Sequence, residues 1–528
     1  MKKHIIFAAA QLLSTFALSA QTESSDSALS LLGTRSWIRL DMNGNQHNLT
    51  GAKVFWSKTN KKPQRPNSVL EAGTHRYYIQ QVDPETTYYI WVESATGKSL
   101  AKGKTFTSKS WVLDRTELDE LQKNPSSKAV PIGMEVFWQD EFNDKLLNRN
   151  KWTTNYFSSL NYLNAKSKQE MLTDQLPQPA YTMDGTAINL YVNDTIPKRL
   201  FTEGGNQKIS SIQTYDWKSN ENLLDNSKGG YFEVRVRRNR QGDPKGTNTA
   251  FWFDSPGPDI RYYLQEGTEV DGIKGIRPKG QLFEIDVFEY ITAQFVIHGH
   301  VDKKGIFQRN LATHIAEGYE HVGQWVTHGV LWTPTSIKHY INGDLIKEYA
   351  NKNQIYSPNH FMNVFLGAYG SEGGVNMEVD YIRAYNWPLE DNNELPNPDF
   401  EGPAGLAPWE GEATIADGTG EKGSKAVVIT PGKTITQYVY LDAEQNYNLE
   451  FWGKGASLQV MVDDVTVVTG ALSSLKKEER SLTAKGKKQT IAFQTGKEIK
   501  PNKKIMRIAF TNTGKENVGL DNITIKKK

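Results

Sequence analysis

Six consecutive residues concentrate the chemistry of this chain: Glu284-Ile285-Asp286-Val287-Phe288-Glu289. Three carboxylates fall inside the otherwise apolar run from Leu282 to Ile291. Crowding like charges into a segment suited to burial costs stability, so such a cluster points to a chemical use. Side chains alternate faces along a strand. Glu284 and Asp286 therefore project the same way, while Glu289, five positions from Glu284, has the wrong parity. One extra residue in a β-bulge near Val287-Phe288 restores the parity and re-aims Glu289. Both of those residues are apolar, which suits a bulged segment buried on both faces.

With the bulge, all three carboxylates line one face. Four effective strand steps of ~3.3 Å place the outer Cα atoms ~13 Å apart. Two Glu side chains leaning together close most of that gap. The carboxyl separation is roughly 5–5.5 Å in retaining glycosidases and roughly 6.5–9.5 Å in inverting ones, so the spacing favours retention. Asp286 sits between them, and an ionised neighbour favours the protonated form of a carboxyl group, the condition for a general acid. The same three acids could instead hold calcium, but such sites more often use loops rich in Asp, Asn and Gly. This run lacks those flanking features.

The scaffold has to come from the rest of the chain. Its 528 residues suggest about three domains. A net charge of +2 with 38% hydrophobic residues is ordinary globular chemistry, and no dense basic face marks nucleic acid as a partner. The 13 Trp and 23 Tyr suit β-sheets, and they suit stacking platforms for sugar rings. Residues 1–20 read as a signal peptide: Lys2 and Lys3, an interrupted apolar run from Ile5 to Leu18, then Ser19-Ala20-Gln21. No later run is apolar enough to span a membrane. Without any Cys there is no disulfide, thiolate metal site or lipid-attachment Cys. A soluble, secreted or periplasmic monomer with no membrane partner is the expectation.

An all-β chain is predicted. Residues 29–109 read as short strands separated by turns, a small sandwich. There, Asp83-Pro84-Glu85-Thr86-Thr87-Tyr88 resembles the fibronectin type III pattern. Residues 110–130 read as a connector, with a short helix over Asp114 to Gln122. Residues 131–388 alternate apolar and polar positions repeatedly and read as one large sandwich. Residues 395–528 start again at Asn397-Pro398-Asp399-Phe400-Glu401 and close on Gly519-Leu520-Asp521-Asn522-Ile523. That last stretch is similar to carbohydrate-binding jelly rolls, with a structural spacer as the alternative.

The carboxylate strand and its flanks resemble glycoside hydrolase family 16 in its bulged Glu-x-Asp-x-x-Glu form. Phe137-Trp138-Gln139-Asp140-Glu141-Phe142-Asn143, Gly230-Tyr231-Phe232-Glu233-Val234-Arg235, Ala250-Phe251-Trp252-Phe253, His328 to Pro334, Ile341-Asn342-Gly343 and Met377 to Tyr385 match that family's pieces in order. The resemblance implies a two-sheet jelly roll and retaining endo-hydrolysis of a β-linked polysaccharide through a covalent glycosyl-enzyme. Glu284 would be the nucleophile and Glu289 the general acid/base, with Asp286 tuning the nucleophile and no cofactor needed. Trp252 would join a sugar-stacking floor or pack between the sheets. His300, which shares a face with His298, would bond Asp286 or the acid/base, or be a satisfied sheet histidine. Trp332 reads as core. Two peripheral calcium sites are candidates, Glu141 with Asp380 and Glu401 with Asp521, against the alternative of ordinary surface acids.

The run Gly246-Thr247-Asn248-Thr249-Ala250-Phe251-Trp252 lacks the first Trp of laminarinase-like members, and the Asp254–Lys279 loop is long. Together they point toward red-algal galactans: agar, porphyran or carrageenan. Arg235, Arg237, Arg238, Arg240, Arg261 and Lys274 are candidate contacts to sulfate. A laminarinase or mixed-linkage β-glucanase, or a non-catalytic glycan binder, are the alternatives.

Overall fold

The computed structural model describes residues 23–24, 29–33, 37–42, 51–70, 76–80, 82–83, 85–107, 128–156, 178–202, 205–216, 221–238, 247–254, 269–270, 273–274, 284–289, 293–298, 312–316, 323–350, 357–466, 470–498 and 502–528. The predicted signal peptide and the short helix lie outside them. Apart from one short 3-10 turn at Glu421–Gly423, the regular elements of the described residues are all strands, gathered around three main hydrophobic cores.

The N-terminal core collects Leu31, Leu40, Val54, Ile79, Ile90 and Val92 between a five-stranded and a three-stranded sheet. Period-two alternation produces this directly. In Thr87–Glu93 every second residue is buried, so one face of the strand is apolar and the other half wet.

The central sandwich stacks an eight-stranded sheet on a seven-stranded one. In the eight-stranded sheet, Gly230–Arg238 lies between Val375–Asn386 and Val326–Trp332. In the seven-stranded sheet, Thr247–Asp254 lies between Asn363–Gly370 and Glu284–Glu289. Phe232, Val234 and Trp332 of the first sheet meet Phe251, Phe253, Ile285 and Val364 of the second in one core. Trp332 stacks on Phe232 with ring centroids 4.7 Å apart, so it is core, as its sequence context suggests.

The C-terminal sandwich packs two five-stranded sheets around Val439, Leu449, Val460, Ile508 and Leu520. It is bolted to the central sandwich by backbone. Lys503 N–H donates to Asn359 O at 2.6 Å, and Asn359 Nδ2 donates back to Lys503 O at 2.9 Å. Lys228 of the central sandwich pairs with Glu394 on the connecting segment, whose own N–H donates to Ile525 O at 2.8 Å.

Candidate active site

Antiparallel pairing fixes the carboxylates. Asp254 faces Glu284, Phe253 faces Ile285 and Trp252 faces Asp286, but Phe251 faces Phe288. Val287 is therefore the extra residue, and the bulge lies where the parity of Glu289 requires it. Ile285, Val287 and Phe288 are all fully buried in the inter-sheet core. Asp286 is only 2% exposed yet is not part of that core, and Glu284 and Glu289 are half-buried.

The opposite face of the same sheet carries a second, smaller cluster: Ile209, Ala250, Trp252, Phe365 and Tyr369. Trp252 stacks flat on Phe365, centroids 4.0 Å apart and planes at 11°. Trp252 thus sits on the carboxylate face and not between the sheets. At 7% exposure it is a nearly closed part of the floor. Half-buried Tyr156 packs against both Phe365 and Tyr369 at 5.7 and 5.8 Å.

One hydrogen bond ties this cluster to the acids, and Tyr369 fastens the cluster together. Asn248, on the same parity as Trp252, donates through Nδ2 to Glu289 Oε1 at 3.0 Å. Tyr369 accepts from Trp252 Nε1 at 3.2 Å and donates to Ser211 Oγ at 3.0 Å. Burial pushes the Tyr369 phenol up, and the nearby Glu289 and Asp286 push it the same way, so it stays a neutral donor. Gly367 makes room for it: a Cβ there would stand 2.4 Å from the Tyr369 hydroxyl. Asn248, Tyr369, Ser211 and Tyr156 were not singled out from sequence. The readable signals were the parity of Asn248 with Trp252 and the Gly-x-Tyr spacing of 367–369.

Other expectations land elsewhere. His300 lies outside the described residues, and the backbone of His298 pairs with Glu284. Arg235 and Arg237 stand on the eight-stranded sheet, not on the carboxylate sheet. There they pair with Asp380 and Glu378 and lie over the Trp325 ring at 4.9 and 4.6 Å. Arg238 of that strand is 3% exposed, on the parity of core residues Val234 and Val236, and burial alone pulls it down to about 10. Alternation gives the parity of an arginine but not the sheet it joins, which is why these three were misplaced. Arg240 and Arg261 are outside the described residues. Lys274 belongs to a two-residue strand paired with Glu269–Val270.

The acids of the two candidate calcium pairs all have protein partners. Glu141 is gripped by the buried Arg383, Nε to Oε1 and Nη2 to Oε2, both at 2.7 Å. Asp380 has Arg235. Each acid of that pair has its own guanidinium partner. Glu401 and Asp521 both clasp the loop around Glu421–Lys425 through protein donors. Glu401 Oε1 accepts from Lys425 N–H at 2.6 Å, and Asp521 Oδ2 accepts from Glu421 N–H at 2.8 Å and Ser424 Oγ at 2.5 Å. Among the described residues, no group of three His, Cys, Asp or Glu is placed to hold a metal.

The model of a family described as Glycosyl hydrolases family 16 matches residues 225–383. No curated protein matches the sequence. Among solved structures, the chain is similar to a GlcNAcα1-4Gal-releasing endo-β-galactosidase from Clostridium perfringens, at 19% identity over 57% of this chain and 79% of that one, with a TM-score of 0.35. It is also similar to the laminarinase catalytic domain of Thermotoga maritima, at 15% identity over 48% and 98%, with a TM-score of 0.32. A third likeness, at 15% identity over 51% and 95% with a TM-score of 0.34, is to a structure reported with endo-acting O-glycanases of the human gut microbiota. Residues 225–383, which hold the bulged carboxylate strand and the strands on either side of it, form a glycoside hydrolase domain of family 16.

Proposed function

We propose that the chain is a secreted, retaining endo-glycosidase that cuts β-linkages of a galactan, with Glu284 as nucleophile and Glu289 as general acid/base. One observation carries this reading: the bulge at Val287, which turns Val287 and Phe288 into the core together and so brings Glu289 back to the face of Glu284 and Asp286. In the first step a Glu284 oxygen attacks the anomeric carbon while the glycosidic C–O bond breaks, and Glu289 gives its proton to the departing oxygen. In the second, Glu289 takes a proton from water, the water oxygen bonds to the anomeric carbon, and Glu284 leaves as carboxylate. Asp286, buried between them, sets the local charge. Asn248 holds one oxygen of Glu289, which fixes the direction in which its proton is delivered.

With Arg235, Arg237 and Arg238 on the other sheet, three of the residues that would have favoured sulfated galactans are removed from consideration. A neutral, agar-type galactan is the substrate class we favour. The test is reducing-end release from agarose, porphyran, κ-carrageenan, laminarin, lichenan and mucin, with the anomer of the fresh product read by NMR. Cleavage of agarose with the β-anomer formed first is expected. Immediate α-product would overturn the double displacement, and cleavage of laminarin or lichenan alone would overturn the galactan.

A further inference from the structure

A cavity of about 300 Å³ lies at the seam between the central and C-terminal sandwiches. Its walls come from Leu331 and the Thr333–Thr335 turn on one side and from Tyr438 and Tyr440 on the other, with Trp387 between. No residue of the seven-stranded sheet lines it, so it is separate from the carboxylate face. Three lining residues carry a polar atom that is buried and has no hydrogen-bond partner in the protein: the Tyr440 hydroxyl, the Gln437 Oε1 and the Trp332 Nε1. The three residues are only 4%, 1% and 1% exposed. Buried polar atoms need a partner, and three of them gathered beside one cavity have it to gain from a molecule that enters the cavity.

The chemistry of that partner can be read from the walls. Half-buried Trp387 and Tyr438 offer flat apolar faces, as the C–H side of a sugar ring requires. The Tyr440 hydroxyl both gives and accepts, and the Gln437 oxygen accepts, which is the pattern that alcohol groups satisfy. Lys228 is the one cation among the lining residues and is already paired with Glu394, while Glu410 stands exposed at the mouth. An anionic ligand would meet net negative charge here, and a neutral polyol would not. The volume suits one or two hexose rings.

We propose that this seam is a second saccharide site, which holds one or two uncharged sugar units of a glycan chain away from the bond-breaking face. Only the choice of probe rests on the galactan reading. The experiment uses the full chain carrying Glu289→Gln, so that the probe is not cut, with agarotetraose and laminaritetraose followed by calorimetry and saturation-transfer NMR. Two sites per chain are expected for at least one probe. Trp387→Ala and Tyr438→Ala should each weaken one of them about tenfold. Both changes, made in the chain with Glu289 intact, should leave hydrolysis of a short soluble substrate unchanged. Tyr440→Phe should weaken the same site several-fold.

A single site untouched by these changes overturns the proposal, as does the absence of binding by either probe. A higher Tm in Tyr440→Phe with unaltered binding also overturns it, because the orphan hydroxyl would then be a packing defect. The two readings fail separately. Cleavage with unaltered binding in the seam variants sinks the seam alone, and seam binding without cleavage by the Glu289-intact chain sinks the hydrolase mechanism alone.

Discussion

The two sheets of the central sandwich use one local device for opposite ends. On the eight-stranded sheet Tyr231 lies across Gly329, where a Cβ would stand 2.3 Å from its hydroxyl. On the seven-stranded sheet Tyr369 lies across Gly367 in the same way. The outer tyrosine serves a closed account: Tyr231 and Tyr381 donate to the two oxygens of Glu233 at 2.7 and 2.8 Å, and Glu233 is fully buried. Nearby, Arg383 occupies both oxygens of Glu141. On the other sheet Tyr369 spends its proton on a serine, and Glu289 receives an uncharged amide from Asn248. Both oxygens of Glu233 and of Glu141 are thus taken by protein donors, while Asn248 donates to one oxygen of Glu289. On the proposed reading, the bulge brings Glu289 to its face and these differing partners set it apart from the acids of the other sheet.

Glu284→Gln and Glu289→Gln test that contrast most severely. Each should lower turnover by at least ~10³-fold, within the range for loss of an acid/base group, with the melting temperature nearly unchanged. Full activity in either would falsify the assignment. Arg383→Met reverses the pattern: it strands the buried Glu141 and should cost about 3–5 kcal/mol in urea unfolding, while the folded fraction keeps its kcat. Tyr369→Phe falls between the two. Losing its hydrogen bonds to Trp252 and Ser211 should cost about 1 kcal/mol of stability. The expected drop in kcat/KM is roughly tenfold. Equal stability loss and no kinetic change would make Tyr369 purely structural.

The smallest effect is in pH. His314 donates or accepts at both ring nitrogens, to Tyr349 at 2.8 Å and His339 at 2.9 Å. Burial, with Lys347 adding to it, pulls His314 down to about 4, and burial pulls His339 well below its ordinary value. The unfolded chain then binds more protons than the folded one between about pH 6.5 and 4, so this contribution is complete above 6.5 and falls as the solution is acidified through that window. Asp140, pushed up to about 6 by burial, slopes the other way from about pH 6 downward, which is most of the window. The histidine share is therefore the difference between wild type and His314→Phe in melts at pH 7 and pH 4.5. A variant with the same pH slope as wild type would discard it.

The bulge was legible because parity is a local property: five residues of spacing and two adjacent apolar side chains are enough. The all-β class was legible for the same reason. Asn248 and Tyr369 were not, because their place beside Glu289 depends on which strands pair, and they lie 41 and 80 positions away in sequence. The arginines of Gly230–Arg238 show the same limit from the other direction. Their alternation was evident, but nothing local says that Asp380 and Glu378 of Val375–Asn386 are the neighbours that receive them. The partner of Glu141 lies 242 residues on, which is why a calcium ion looked like a reasonable substitute for an arginine.

The reciprocal clasp of Asn359 and Lys503 bears on how this chain can be recombined. Asn359 stands four residues before the strand that carries Phe365 and Tyr369. A C-terminal module attached only by a tether can be exchanged freely for another. Here the module's backbone closes the entry to a floor strand, so a graft that replaced residues 395–528 with an unrelated sandwich would leave a carbonyl and an amide unpaired at Asn359. Chimeras should be cut so that Lys503 and its strand travel with the central sandwich. The unit that can be inherited or engineered as a block is the pair of sandwiches together.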